Sequence, residues 1–292
     1  MYIAIHGRPF KEDNIPAVQQ LLYSLLDRGV RLCFNKQFVG FLEQLKLDFP
    51  SNSYVFSSMQ DLPEVDAMIS IGGDGTLLES VTFVGPKEIP ILGINTGRLG
   101  FLAATRREEI DMAIDELISQ HYRISERTLV RLISDQDLFG GLNFALNELT
   151  ISKRDSSSMI TVHTYVDGEF LNSYWADGLI VSTPTGSTGY SLSCGGPLLH
   201  PTTENFIITP ISPHNLNVRP MVISDESHVS FEIEGRSKNF LISLDSRSMI
   251  VSSEVKLAVK KESFKVKLIE LKPNNYFKTL RTKLNWGFDA RN

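Results

Sequence analysis

Residues 67–76, Ala-Met-Ile-Ser-Ile-Gly72-Gly73-Asp74-Gly75-Thr76, decide the fold. The first five are apolar or small with no alternation, as expected of a strand buried on both faces, and such strands belong to parallel sheets covered by helices. The run enters a glycine-rich turn, and residues 76–84 then read as a helix. On the N-terminal side, residues 2–5 form an apolar strand ending at His6-Gly7. Asn14 is placed to cap a helix with Pro16 in its first turn. Ile15, Val18, Leu21, Leu22, Leu25 and Leu26 recur at helical spacing, Gly29 stops the helix, and residues 30–34 make a second strand. On the C-terminal side, residues 89–94 are another buried strand, ending at Asn95-Thr96-Gly97. Thr105-Arg106-Arg107-Glu108 reads as a capping box, opening a helix with Ile110, Ala113, Ile114, Leu117 and Ile118 on one face. This alternation predicts a doubly wound, Rossmann-like α/β domain with a mostly parallel sheet.

After about His121 the texture changes. Residues 129–133, 143–151, 159–166, 179–181, 228–234 and 239–244 look like strands with no helices between them. Asp167-Gly168 is a hairpin signal between residues 159–166 and 170–174. Val229, Phe231 and Ile233 alternate with polar neighbours, the period of a half-buried strand. The expected organisation is an α/β domain at 1–121 and a β-sandwich domain at 122–272, with residues 273–292 returning to the first domain.

Bulk composition narrows the function classes. At 292 residues the chain is long for one core, which favours two domains. Its 42% hydrophobic and 22% charged residues are those of an ordinary globular protein. With 29 basic against 34 acidic residues, a formal charge of −5, there is no basic excess to hold nucleic acid, and the runs Arg106-Arg107 and Lys260-Lys261 are short. Cys33 and Cys194 are the only cysteines, so neither a disulfide framework nor a zinc cluster is expected, and a reducing cytoplasm is the natural setting. No secretory signal opens the sequence and no apolar run reaches the ~20 residues of a membrane span. A soluble, cytoplasmic protein with neither nucleic-acid nor membrane partner is the expectation.

Four stretches carry chemistry. In Gly72-Gly73-Asp74-Gly75-Thr76 the glycines let backbone approach an anion at a strand's C-terminal end, where open α/β sheets bind ligands. Asp74 beside a phosphate would repel it, so the carboxylate needs a chemical reason to be there. It either holds a divalent cation or takes a proton from a hydroxyl nucleophile. The plain alternative is a tight turn in which Asp74 caps the helix. Gly93-Ile94-Asn95-Thr96-Gly97-Arg98-Leu99-Gly100-Phe101 is a second glycine-rich segment, readable as a binding loop or as a structural turn. Neither G-x-G-x-x-G nor G-x-x-x-x-G-K-[ST] occurs there. The third stretch runs from Asp177-Gly178 through Thr183-Pro184-Thr185-Gly186-Ser187-Thr188-Gly189-Tyr190-Ser191-Leu192-Ser193 to Gly195-Gly196-Pro197. Its hydroxyls and bare amides suit phosphate or ribose, or form a polar loop between strands. The fourth is Asn147-Glu148 in an otherwise apolar strand, either a ligand contact or a polar edge.

Together and in this order these motifs resemble the NAD kinases, with Pro213-His214, Arg219-Pro220 and Asp245-Ser246 adding to the likeness. Gly-Gly-Asp-Gly-Thr is shared with diacylglycerol-type lipid kinases and loosely with phosphofructokinases; the Thr-Pro-Thr-Gly-Ser-Thr motif is far more specific. The resemblance implies an enzyme that moves the γ-phosphate of ATP to the 2′-hydroxyl of the adenosine ribose of NAD, giving NADP and ADP. NAD would lie in a cleft between the two domains. Asp74 would be the proton acceptor, with Gly75 against the dinucleotide and Gly72, Gly73, Gly75 and Thr76 forming the phosphate-donor loop. NAD would be held by Asp74, Gly75, Asn147, Glu148, Ser158, Asp177 and the segment Thr188, Gly189, Tyr190, Ser191, Leu192 and Ser193. The resemblance also implies a homodimer or homotetramer and a divalent cation, commonly Mg²⁺. Gly189 stands where alanine is usual, Trp175 where some members carry a basic residue, and Arg247 where some have glutamine. Trp175 and Arg247 are therefore carried as further NAD contacts. A lipid kinase and a non-catalytic NAD(P)-binding sensor stand as rivals; the first would want a basic or apolar membrane-facing surface.

Overall fold

The computed structural model describes residues 1–97, 99–154, 158–272 and 276–285. Arg98 of the second glycine-rich segment, and residues 273–275 and 286–292 of the expected C-terminal tail, lie outside the described residues. The chain forms two compact units, Met1–Glu126 with Val266–Asn292, and Arg127–Lys265. Its elements begin with β1 (Tyr2–Gly7), α1 (Ile15–Asp27), β2 (Arg31–Asn35), α2 (Lys36–Gln44), β3 (Tyr54–Phe56), β4 (Ala67–Gly72), α3 (Asp74–Val84), β5 (Ile91–Asn95), β6 (Thr105–Arg106), α4 (Ile110–Ile118) and β7 (Arg123–Arg127). They continue with β8 (Val130–Ser134), β9 (Phe144–Ala145), β10 (Glu148–Lys153), β11 (Ile160–Val166), β12 (Glu169–Ala176), β13 (Gly178–Ser182) and the short α5 (Tyr190–Ser193). The series closes with β14 (Asn205–Ile211), β15 (Met221–Ser224), β16 (Val229–Glu234), β17 (Asn239–Leu244), β18 (Arg247–Ser252), β19 (Leu257–Lys261), β20 (Val266–Glu270) and α6 (Tyr276–Leu284).

In the first unit the strand order is β3-β2-β1-β4-β5-β20-β7, with β6 paired to β5. The β2–β3, β1–β2, β1–β4, β4–β5 and β5–β20 pairs are parallel. All six residues of β4 are buried, as its unbroken apolar run requires. The chain moves outward from β1 in one direction and from β4 in the other, so the order reverses between them. One core packs Val18, Leu21, Leu22 and Leu25 of α1, Phe38 and Leu42 of α2, and Ile110, Ala113, Ile114 and Leu117 of α4 against Ile3, Ile5, Ile69, Ile71, Leu92 and Ile94 of the sheet. Leu77, Val81 and Val84 of α3 are buried outside that cluster. This is the doubly wound plan expected.

The second unit is all-antiparallel among its paired strands. One six-stranded sheet runs β15-β14-β13-β10-β17-β18 and another β12-β11-β16-β19-β8-β9. A single core drawn from both, with Leu149, Ile151, Val181, Phe206 and Phe240 from one and Val130, Leu132, Val162, Val229 and Val259 from the other, makes it a β-sandwich. Asp167 and Gly168 both take positive φ, +53° and +84°, in the hairpin joining β11 to β12.

Three local expectations need correction. Asn14 occupies the N-cap of α1 but makes no side-chain cap bond; it is α2 that an asparagine caps, Asn35 Oδ1 accepting the Gln37 and Phe38 amides at 3.0 and 3.4 Å. The capping box lies one residue later than read: the Arg106 amide donates to Glu109 Oε2 at 2.9 Å. The strand expected at 143–151 is two strands, broken at Leu146-Asn147, whose amides are taken by the Asp245 carboxylate.

Candidate active site

In the first unit the site grows from the end of β4. Gly72 has φ +155°, and a Cβ there would lie 2.2 Å from Thr76 Oγ1, so only glycine fits. Its carbonyl accepts the Thr96 amide at 3.2 Å, tying the ends of β4 and β5 together. Gly73 is the N-cap of α3, its carbonyl accepting the Thr76 and Leu77 amides at 3.1 and 3.2 Å. Gly73 and Gly75 are exposed, and no atom lies within 4 Å of where either Cβ would stand. The Asp74 and Gly75 amides lie ahead of the first bonded amide of α3, and the helix start favours negative charge.

Asp74 is the first residue of α3, yet its side chain caps nothing. It crosses to the loop after β5, where Oδ2 accepts the Phe101 amide at 2.8 Å and Oδ1 accepts the Leu102 and Ala103 amides, each at 3.0 Å. A carboxylate offers about four lone-pair positions. Those bonds occupy three, leaving one on Oδ2. Gly100 makes the approach possible, since a Cβ there would be 1.9 Å from Asp74 Oδ1. The loop is in turn shaped by buried Asn95, whose Oδ1 accepts the Gly97 amide at 2.7 Å and whose Nδ2 donates to the Ala103 carbonyl at 3.2 Å. The second glycine-rich segment is therefore the cradle of Asp74, a role its spacing alone did not reveal.

In the second unit the half-buried Asp245 carboxylate accepts the amides of Leu146, Asn147 and Glu148 at 2.9, 2.8 and 3.2 Å. The Thr183 amide donates to the Asn147 carbonyl at 2.8 Å, and Thr183 Oγ1 to the Leu146 carbonyl at 2.5 Å. A Cβ on Gly186 would meet that Asn147 carbonyl oxygen at 2.1 Å. The Asn-Glu pair and the hydroxyl-rich segment are thus one knot. Thr185–Thr188 is a tight 3-10 turn, and α5 follows, with buried Ser191 bonded to Thr209 at 2.8 Å. Among the described residues Glu148 Oε2 is buried without a partner, and a Cβ on Gly189 would stand 3.0 Å from it. Burial and then the neighbouring Asp245 push the Glu148 carboxyl up to about 8, against the Tyr190 amide that donates to it. Asp177 pairs with Lys153 Nζ at 2.6 Å. It precedes β13, whereas Thr183 follows that strand, so the two are separated by its length. Burial raises the Tyr190 phenol first, and Cys194, Asp177 and Glu148 add to the rise.

Comparison with known proteins decides the family. Residues 3–122 match the ATP-NAD kinase N-terminal domain and residues 146–271 the ATP-NAD kinase C-terminal domain. The chain belongs to the ATP-NAD kinase family. It is 68% identical to an NAD kinase of Cytophaga hutchinsonii over the whole of both chains. It is 46% identical to one of Flavobacterium johnsoniae, again over the whole of both. The fold matches yeast NADH kinase complexed with NADH at a TM-score of 0.89, with 23% identity over 100% of this chain and 89% of that one. It also matches an Archaeoglobus fulgidus NAD kinase in complex with ATP at 0.74, with 24% identity over 98% of each.

Among the family residues expected at the site, Ser158 is half-buried and lies just ahead of β11. Trp175 is half exposed and its ring lies 4.3 Å from that of His214, at the edge of a cavity of about 500 Å³ that Pro213, Leu216 and Val218 also line. Arg247 is spent within the fold. Its guanidinium donates to the Leu142 and Phe144 carbonyls, lies over the Phe139 and Phe144 rings at 5.8 and 5.7 Å, and faces Asp245. It braces the corner that presents Asn147 and Glu148. Asn95 and Gly100 lie in the second glycine-rich segment, Thr183 opens the hydroxyl-rich motif and Asp245 stands beside Ser246, but none of the four was given a role of its own. The sequence signal was the motif each belongs to, not the contact each makes. Among the described residues no three His, Cys, Asp or Glu side chains converge to hold a metal, and no helix is long and apolar enough to cross a membrane.

Proposed function

We propose that this chain is an ATP-dependent NAD kinase in which Asp74 takes the proton of the ribose 2′-hydroxyl of NAD as that oxygen attacks the γ-phosphorus of ATP. NADP and ADP leave. The observation that carries this reading is the fixed Asp74 carboxylate. Its bonds to the Phe101, Leu102 and Ala103 amides hold it rigid and leave one acceptor position on Oδ2. Phosphoryl transfer needs mainly positioning and charge neutralisation. The start of α3, with Gly72, Gly73, Gly75 and Thr76, supports neutralisation of the donor phosphates. A divalent cation, Mg²⁺ in this reading, would add to that neutralisation of the donor phosphates. NAD is held by Gly75, Asn147, Glu148, Ser158, Trp175, Asp177, Thr188, Gly189, Tyr190, Ser191, Leu192 and Ser193, with Arg247 acting through the Asn147 corner. A homodimer or homotetramer in the cytoplasm completes the proposal; the scarcity of cysteine supports the compartment.

The test is purified protein with ATP and Mg²⁺, offered NAD in one arm and diacylglycerol vesicles in the other. NADP in the first arm and no phosphorylated lipid in the second is expected. Lipid phosphorylation would favour the lipid kinase, and NAD binding without turnover the sensor.

A further inference from the structure

We infer that Arg8, oriented by Glu79, is a clamp for the polyphosphate chain of the phosphate donor. The inference rests on the kinase reading above and names a contact that none of its motifs supplies.

Arg8 directly follows β1, and Gly72 ends β4. These neighbouring strands are where the sheet order reverses, and open α/β sheets bind ligands beyond the C-terminal ends of strands at that point. The Arg8 side chain is 52% exposed, yet it is not left to solvent. Its Nε donates to Glu79 Oε2 at 2.6 Å. Among the described residues its two Nη atoms have no partner, so the outer edge of the guanidinium remains available. That edge presents parallel N–H groups in a fixed fork, the geometry that grips two phosphate oxygens at once.

Glu79 is itself fixed. His6, 1% exposed at the end of β1, meets the same Oε2 at 3.2 Å with its Nε2. The hydrogen bond from His6, then that from Arg8, outweigh burial and hold the Glu79 carboxyl down at about 2. Glu79 therefore stays ionised across the working pH range. Nothing in the reaction assigned to Asp74 needs this triad. An ion pair to a half-exposed arginine adds little to stability, so orientation is what it supplies.

The target of that orientation follows from helical spacing. Glu79 lies four residues after Gly75 on α3, hence on the same helix face, about 5–6 Å along the axis. The space over Gly75 is open. On this inference Arg8 reaches past Glu79 toward the start of α3, so that the guanidinium and the Asp74 and Gly75 amides serve one phosphate chain. Asp74 and Glu79 put two carboxylates beside that volume. A polyphosphate carrying several charges would be repelled from it unless a cation of the protein stood opposite.

Full-length Arg8→Ala, Arg8→Lys and Glu79→Gln test the clamp by two readouts: steady-state NADP formation with ATP and NAD varied separately, and calorimetric binding of Mg²⁺-tripolyphosphate without NAD. Arg8→Ala should raise KM for ATP and weaken tripolyphosphate binding by about tenfold to a hundredfold, the range for a hydrogen bond to a charged group. KM for NAD should stay within about twofold. Arg8→Lys keeps the charge but not the fork and should recover part of the loss. Glu79→Gln should give a smaller rise in KM for ATP, since it loosens Arg8 without removing it. Unchanged KM for ATP in Arg8→Ala would overturn the inference. So would parallel rises for ATP and NAD, which would mark a structural role. If wild type bound tripolyphosphate through Arg8 but made no NADP, the clamp would stand and the kinase reading would fall.

Discussion

Replacing Gly100 by alanine puts a methyl carbon where it would lie 1.9 Å from Asp74 Oδ1, 2.7 Å from Cγ and 3.1 Å from Oδ2. Ordinary contact begins at 3.4 Å, so the nearest oxygen must retreat by 3.4 − 1.9 = 1.5 Å. Oδ1 accepts the Leu102 and Ala103 amides at 3.0 Å, and a retreat of that size takes both past hydrogen-bonding range. Bonds to a charged acceptor contribute about 1.5–3 kcal/mol each, but the carboxylate keeps part of its solvation in a half-buried site, so a loss of about 2–4 kcal/mol is expected. That corresponds to a drop in Tm of roughly 5–10 °C for a unit of this size. Displacing a catalytic group by about 1 Å costs on the order of a hundredfold in turnover, and kcat should fall at least that far. Gly97→Ala is the matched control: its Cβ would meet nothing nearer than Asn95 Oδ1 at 3.8 Å, and its stability should change by less than about 0.5 kcal/mol. The assay couples NADP to an NADP-specific dehydrogenase, alongside thermal unfolding. Gly100→Ala with the turnover of Gly97→Ala would refute the claim that this loop positions Asp74.

Other predictions concern the second unit. Glu148 is raised to about 8 from an ordinary 4.5, so the folded chain keeps a proton that the unfolded chain has released. Stability from this group is full at acid pH, falls as pH rises toward 8 and then levels. Asp245, raised mainly by burial, has the same sign. Glu148→Gln should remove most of the slope, so Tm measured from pH 5 to 8.5 should fall more in wild type than in the variant; parallel curves would contradict the assignment. Arg247→Ala strips the guanidinium from the Leu142 and Phe144 carbonyls and from Asp245. It should cost about 2–4 kcal/mol in chemical denaturation, and a loss under about 0.5 kcal/mol would remove the brace from the account. Gly186→Ala sets a methyl 2.1 Å from the Asn147 carbonyl oxygen, with backbone rather than a flexible side chain opposing it. A loss of about 3 kcal/mol or more is expected, and an unchanged melting curve would show that the two motifs are not knotted there.

Much of this was legible before any coordinates. Buried β4 running into glycines announced a parallel sheet and a ligand loop because both signals are local: unbroken apolarity over residues 67–71, then a backbone only glycine adopts at Gly72. The sandwich was legible from alternation at Val229, Phe231 and Ile233, all buried in β16. What escaped was set by distant partners. The break between β9 and β10 is caused by Asp245, about a hundred residues along the chain, and no periodicity in 143–151 encodes it. The partner of Asp74 is a loop 27–29 residues away, so its carboxylate could be read as cap, metal ligand or base but not as the centre of a cradle. Arg8 and Glu79 are 71 residues apart and belong to no motif. Arg247 stood where a ligand contact was expected, and its commitment to backbone carbonyls became visible only with the turn between β17 and β18 in place.

The central claim is that Asp74 takes a proton from NAD during transfer of phosphate from ATP. Turnover of Asp74→Asn against wild type, at saturating ATP, Mg²⁺ and NAD, tests it most directly. Asparagine keeps the size and one acceptor oxygen but cannot hold the proton. NADP formation should fall by about 10²–10⁴-fold, with NAD still bound and the fold intact. Near-normal NADP formation by Asp74→Asn would contradict the account.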